Sequence, residues 1–128
     1  MDAPEELGYT KRHIWIRADD DVAVLGFTEY LVAQIDEIIS LDLPEEGEEF
    51  GAGDDIGTLE TSETSIRIIT PVSGIIEAVN EDIINDSESV FEDCYGEGWA
   101  LRIRMETPEE VYDMLTASQY VQLTSRKG

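Results

Sequence analysis

The chain of 128 residues is long enough for one domain with a single apolar core, and 41% of its residues are hydrophobic. Its 30 acidic and 8 basic side chains give a formal net charge of −22, which argues against nucleic acid or an anionic membrane surface as a partner because both would repel it. The chain lacks a long apolar run, a signal-peptide layout at its N-terminus and a second cysteine, so we expect a cytoplasmic protein without disulfides.

The N-terminal third of the chain reads as two strands, a short helix and a third strand. Aromatic and β-branched residues predict a strand over His13–Arg17 and a second over Asp21–Phe27, after an Asp-rich turn. Thr28 is placed to cap a short helix through Gln34, because its hydroxyl can accept a hydrogen bond from an otherwise unpaired N–H group. The apolar run over residues 35–43 predicts the third strand.

The middle of the chain predicts a β-hairpin. The connector Pro44–Gly53 combines a proline, which removes a hydrogen-bond donor, with glycines that permit positive φ. Strands are predicted over Asp55–Thr61 and Ser65–Thr70, which leaves Ser62–Thr64 as a tight tip. A further turn is predicted at Pro71–Gly74. The hairpin therefore carries Glu63 at its apex.

The pattern of short apolar stretches between turns continues to residue 105. A strand is predicted over Ile75–Val79, and residues 80–98 are acidic and expected to be mostly irregular with a helical turn. The alternation of apolar and charged residues over Trp99–Met105 is typical of a half-buried strand. Taken together, these segments predict a mainly β fold, either a small barrel or a flattened sandwich.

A helix is predicted near the C-terminus. Thr107 is expected to cap it, Pro108 to take its first position and Glu110 to close a capping box. Apolar residues at a spacing of three to four follow, which indicates one buried helical face. These residues are Val111, Met114 and Leu115, with Tyr120, Val121 and Leu123 in a second helical turn.

No group of residues predicts catalysis or metal binding. His13 is the only histidine, and a metal site needs several convergent ligands. Cys94 is a single thiol whose acidic neighbours oppose thiolate formation. The acidic runs Asp19–Asp21 and Glu45–Glu49 lack the ligand spacing of a calcium-binding loop. We therefore expect no catalytic residue and no metal, and a protein that is not an enzyme.

Five motifs in order resemble the H protein of the glycine cleavage system. The resemblance extends from about Tyr9 to Leu123, and the spacing between motifs holds without an obvious insertion. It implies a single H-protein-like domain over residues 1–128, with its core at about residues 9–123. The motifs are Tyr-Thr-Lys-Arg-His-Ile-Trp (Tyr9–Trp15), Gly-Phe-Thr-Glu-Tyr (Gly26–Tyr30), Ser-Leu-Asp-Leu-Pro (Ser40–Pro44), Pro-Val-Ser-Gly (Pro71–Gly74) and Tyr-Gly-Glu-Gly-Trp (Tyr95–Trp99).

The resemblance implies a fold and a carrier role. The fold is lipoyl-domain-like, with two small antiparallel sheets in a flattened barrel or sandwich and a helix at the C-terminus. In the family, a lysine at the hairpin tip is acylated by lipoate. That arm takes a methylamine unit from glycine decarboxylase (P protein), presents it to an aminomethyltransferase (T protein) and is reoxidised by dihydrolipoamide dehydrogenase (L protein). These enzymes are the partners that the resemblance implies.

The lysine position of the family holds a carboxylate in this chain. The family stretch runs Glu-Ser-Val-Lys-Ala; counted back from Pro71–Gly74, Glu60 matches its glutamate and Glu63 takes the lysine position. An ionised carboxylate offers no amine for an amide bond, and the only lysines are Lys11 and Lys127. We therefore expect no lipoyl group and no other cofactor. The residues of the tip that are expected to face partners are Glu60, Thr61, Ser62, Glu63 and Thr64.

The expected role is that of a non-lipoylated paralogue that binds and regulates in the setting of glycine cleavage. One alternative is an acidic scaffold in another assembly linked to lipoate, sulfur or one-carbon chemistry. Another is a lipoyl ester on Ser62 or Thr64, which would be hydrolytically weaker than an amide. The net charge has two interpretations as well: a solvated surface suited to high salt, or steering toward basic partner surfaces.

Overall fold

The structure is a computed structural model that describes residues 4–125, and its strands form two antiparallel sheets. The larger sheet has six strands in the order β1-β2-β3-β9-β8-β5, and the smaller has three in the order β4-β6-β7. The strands are β1 (Gly8–Tyr9), β2 (Ile14–Asp19), β3 (Val22–Phe27), β4 (Ile38–Asp42), β5 (Glu49–Phe50), β6 (Asp55–Thr61), β7 (Ser65–Ile69), β8 (Gly74–Val79) and β9 (Leu101–Met105).

The helical segments are short, and most lie between strands or after the last one. A 3₁₀ helix over Pro108–Asp113 precedes the longest helix of the described residues, which is the C-terminal one. The α-helices are α1 (Glu29–Val32), α2 (Glu81–Asn85), α3 (Glu88–Glu92) and α4 (Ala117–Ser125). The predicted fold class, mainly β with two small antiparallel sheets and a C-terminal helix, is confirmed.

The main core lies between the two sheets. Inward side chains of the larger sheet, such as Leu25 and Ile103, belong to the same buried cluster as Leu59 and Ile68 of the smaller sheet. Strand β9 alternates buried and exposed residues, as its sequence predicted. Within the described residues no strand of one sheet pairs with a strand of the other, so the sheets are not closed into a barrel. The arrangement is a flattened sandwich, and the barrel alternative is wrong.

A second buried cluster covers part of the outer face of the larger sheet. Trp15 on β2 is fully buried there, and its indole N–H donates to the carbonyl oxygen of Cys94 at 2.9 Å. Trp15 pairs across strands with Gly26, and a Cβ on that glycine would lie 2.5 Å from the indole ring. Helix α4 closes the cluster with Ala117 and Tyr120. The absence of a side chain at residue 26 is therefore what admits the indole.

Several predicted boundaries need correction. His13 has a φ of 67° and lies before β2, not inside it. The connector over residues 44–53 contains strand β5, and β1 was not predicted; each has only two residues and is defined by its pairing partner. Thr28 does cap α1, because its hydroxyl accepts from the N–H of Leu31 at 3.3 Å.

The predicted capping box at Thr107 is wrong. The Thr107 side chain makes no capping hydrogen bond, and the segment after it is a 3₁₀ helix. The carboxylate of Glu110 instead accepts from the backbone N–H and the hydroxyl of Ser73, at 2.8 and 2.9 Å. This tertiary contact outcompetes the local one, and the α-helix begins only at Ala117.

Tyr120 links α4 to the segment before β2 and to α1. Its hydroxyl lies 2.7 Å from the Nδ1 atom of His13 and 2.7 Å from the hydroxyl of Thr28. Its ring stacks on Tyr9 with centroids 4.8 Å apart. Burial raises the pKa of Tyr120 to about 12, so the phenol stays protonated and can donate across the neutral range.

Tyr120→Phe is expected to destabilise the fold by about 1–3 kcal/mol, because it removes the two hydrogen bonds that the Tyr120 hydroxyl forms with His13 and Thr28. Urea unfolding at neutral pH measures the change. Tyr112→Phe is the matched control, since Tyr112 is 83% exposed. Equal stability of the two variants would contradict the linking role of the Tyr120 hydroxyl.

Candidate functional site

The tip of the β6–β7 hairpin is a tight turn organised by Thr61. The last cross-strand pair is Glu60 with Ser65. The N–H of Thr61 donates to the carbonyl of Thr64 at 2.8 Å, and the Thr61 hydroxyl donates to that carbonyl at 3.0 Å. The same hydroxyl accepts from the N–H groups of Glu63 and Thr64, at 3.2 and 3.0 Å. These bonds hold the turn in one conformation and leave the Glu63 side chain exposed.

The base of the hairpin is anchored in the core. Leu59 is fully buried and Ile68 nearly so, and both point between the sheets. The register shifts near Gly57, where a Cβ would lie 2.2 Å from the backbone oxygen of Asp42 on β4. This close backbone approach fits β6 tightly between its neighbours. The tip therefore projects from a closely packed, three-stranded support.

A cleft of about 160 Å³ lies beside the tip, between the hairpin and α1. Apolar side chains line it together with amide, hydroxyl and carboxylate groups. The sequence did not single out the apolar lining residues, because apolar side chains on separate elements are typical of an ordinary core and only the tertiary fold brings them together. The lining residues are Leu31, Gln34, Ile35, Asp36, Thr61, Ser62, Glu63, Thr64 and Ile66.

The chemistry available at the tip is that of hydroxyls and carboxylates. Lys11 lies elsewhere, in the turn between β1 and β2 beside α4. Lys127 lies outside the described residues. Glu63 lies exposed in the turn, and an ionised carboxylate offers no amine for an amide bond.

The other candidate residues lie away from the tip. His13 is half-buried against Tyr30, with ring centroids 4.9 Å apart. Cys94 is buried in the main core. Within residues 4–125, no three or more His, Cys, Asp and Glu side chains are grouped to hold a metal ion. None of the helices in that range is long and apolar enough to cross a membrane.

Carboxylates crowd one another at two surface positions. A hydrogen bond with Glu92 and repulsion from Glu92 and Asp86 raise the pKa of Glu88. A hydrogen bond with Glu49 and repulsion from Glu49 and Glu110 raise the pKa of Glu106. The folded state therefore binds protons more readily than the unfolded state at these residues.

Lowering the pH is expected to stabilise the fold at low ionic strength. A carboxyl whose pKa is raised by folding destabilises the native state above that pKa, and protonation removes the penalty. The melting temperature should rise as the pH is lowered from about 7 to about 5. The rise should be smaller in about 1 M NaCl, because salt screens the repulsion between the carboxylates. Scanning calorimetry measures both changes. A melting temperature that falls over the same range at low salt would contradict the interpretation.

Comparison with known proteins decides the family. The sequence profile described as "Glycine cleavage H-protein" matches residues 7–127. The chain belongs to the glycine cleavage H-protein family. Its relatives include the glycine cleavage system H protein of Synechococcus sp. (strain JA-3-3Ab), 38% identical over 123 residues, which cover 96% of this chain and 95% of the relative. The glycine cleavage system H protein of Salinibacter ruber is 34% identical over 124 residues, which cover 97% of this chain and the full length of the relative.

The fold agrees with the family. The crystal structure of a glycine cleavage system H protein from Mycobacterium marinum matches with a TM-score of 0.88 at 30% identity, covering 95% of this chain and 98% of that one. H proteins are lipoyl carriers that work with the P, T and L proteins, and they are not catalysts. The expectation that the chain is not an enzyme is confirmed by its membership of this family. Glu63 lies in the turn at the apex of the β6–β7 hairpin.

Proposed function

We propose that the chain is a non-lipoylated member of the H-protein family. The observation that carries the proposal is Glu63 at the apex of the hairpin, where an amide-linked arm requires a lysine amine. Neither Ser62 nor Thr64 restores that chemistry, because a hydroxyl would form an ester instead of an amide. The protein would then carry no methylamine unit between enzymes.

We further propose that it acts as a binding and regulatory module in glycine cleavage. A carrier docks on its enzymes through its surface as well as through its arm, so the shape can bind without the cofactor. The tip that would face these partners comprises Glu60, Thr61, Ser62, Glu63 and Thr64. Its two carboxylates, within a chain of net charge −22, favour partner surfaces that are basic. The same charge disfavours nucleic acid and anionic membranes, and the proposed location is the cytoplasm.

Titration against the purified P, T and L proteins tests the binding role. We expect saturable binding to at least one of them without any lipoyl group on the chain. The double variant Glu60→Gln/Glu63→Gln should weaken that binding, because it removes both tip carboxylates. The double variant Glu97→Gln/Glu109→Gln is the matched control, since it makes the same charge change at exposed positions outside the tip. Binding to none of the three enzymes would remove the proposed role.

A further inference from the structure

Two arginines share one row on the outer face of the larger sheet. Arg17 on β2 pairs across strands with Val24 on β3, and Val24 pairs with Arg102 on β9. Directly paired residues of antiparallel strands project to the same face. The two arginines are separated by two strand spacings, which places their Cα atoms about 10 Å apart. Both side chains are exposed.

Tryptophans hold both guanidinium groups in place. The guanidinium carbon of Arg17 lies 5.3 Å from the centroid of the Trp15 ring, and that of Arg102 lies 5.7 Å from that of Trp99. Arg17 also donates to the carbonyl oxygen of Tyr95 at 3.2 Å. Stacking on an aromatic ring leaves the edge donors of a guanidinium available to a further partner.

Neither of these arginines forms an ion pair with a carboxylate of residues 4–125. Two other arginines do: Arg104 contacts Glu77 at 2.8 Å and Asp21 at 3.5 Å, and Arg67 contacts Asp55 at 3.7 Å. This difference between the two pairs of arginines is unexpected, because the chain has 30 acidic residues against 8 basic ones and carboxylates are abundant. The row Arg17–Val24–Arg102, with Trp99 beside it, is thus a basic and partly apolar patch on an acidic molecule. We call it the arginine patch.

We propose that the arginine patch docks an acidic segment of a partner protein, whose carboxylates pair with Arg17 and Arg102. Arg and Trp are the residue types that most often dominate binding energy at interfaces, and a guanidinium binds a carboxylate through two parallel hydrogen bonds. Val24 and Trp99 are half-buried and supply apolar contact between the two charges. Charge complementarity selects the partner: a basic segment meets repulsion at this patch and an acidic one does not. This interaction is independent of the hairpin tip.

A pair of synthetic peptides tests the proposal on the full chain. One alternates Glu and Ala, and the other alternates Gln and Ala at the same length. Fluorescence anisotropy is measured in about 0.15 M NaCl, where a Debye length of about 8 Å screens distant carboxylates of the protein more than direct arginine–carboxylate contacts. The Glu peptide should bind and change the Trp fluorescence, and the Gln peptide should not.

Two double variants separate the patch from general electrostatics. Arg17→Gln/Arg102→Gln should weaken binding of the Glu peptide by about tenfold or more. Arg12→Gln/Arg67→Gln makes the same change in net charge at exposed positions outside the patch and should bind like the wild type. If the first variant folds poorly, Arg17→Lys/Arg102→Lys keeps the charge and loses the paired donors, and it should bind with intermediate affinity.

Three results would overturn the proposal. The first is equal binding of the Glu and Gln peptides. The second is equal weakening by the two double variants, which would show a general charge effect. The third is self-association in sedimentation that the Arg17→Gln/Arg102→Gln variant abolishes, because the patch would then be covered by a second copy of the chain.

Discussion

Glu63→Lys is expected to turn the chain into a lipoyl acceptor. The substitution supplies the primary amine at the apex of a turn that Thr61 already holds in place, on a hairpin anchored by buried Leu59. Coexpression with a lipoate ligase and lipoate should add one lipoyl group to the variant, seen as a mass increase of the intact protein. The wild-type chain under the same conditions should keep its unmodified mass.

Glu60→Lys is the matched control for this experiment. It makes the same change from carboxylate to ammonium three residues away, at a position inside β6 instead of at the apex. We expect no lipoyl group on it, since its amine projects from a paired strand. A Glu63→Lys protein that stays unmodified while folded would contradict the view that the missing amine alone separates this hairpin from an acceptor.

Gly26→Ala is expected to have the largest effect on stability. Its Cβ would lie 2.5 Å from two carbons of the Trp15 ring, which is fully buried and fixed by a hydrogen bond to the carbonyl of Cys94. The indole has no space to move without displacing α4 or the 93–98 segment. Overpacking of this kind costs about 3 kcal/mol, and the melting temperature should fall by roughly 10 °C.

Gly51→Ala is the control for Gly26→Ala. The nearest atom to a Cβ at residue 51 is a carboxylate oxygen of Asp54 at 3.6 Å, which is ordinary contact, and the position is exposed. Thermal unfolding should leave this variant within about 0.5 kcal/mol of the wild type. A Gly26→Ala protein as stable as Gly51→Ala would show that Trp15 is not packed as described.

Much of the architecture follows from local patterns in the sequence. The alternation over residues 99–105 predicted β9, which begins two residues later at Leu101, and the turn residues after Thr61 predicted the β6–β7 hairpin, because both signals depend on neighbours in the chain. The cap at Thr28 is equally local. Strands β1 and β5 were missed because two residues carry no period and their conformation is set by pairing partners far along the chain. The same is true of Glu110, which bonds to Ser73 rather than to its own helix.

The candidate functional site also has one part that the sequence predicted and another part that it did not. Glu63 at the apex was predictable, since it depends on a short count between two turns. The cleft beside the tip was not, because it joins α1 to a hairpin about 30 residues later in the chain. The arginine patch could not be predicted from the sequence either, because it depends on the register of β2, β3 and β9. Exposed arginines in separate strands carry no local sign that they share a row.

The most direct measurement is the intact mass of the protein purified from the organism that makes it. The proposed function requires the mass of the unmodified chain, with Glu63 unaltered and no lipoyl group on any residue. A mass higher by one lipoyl group, at Ser62, Thr64 or either lysine, would contradict the proposed function. It would show that this chain is a lipoyl carrier like other members of its family.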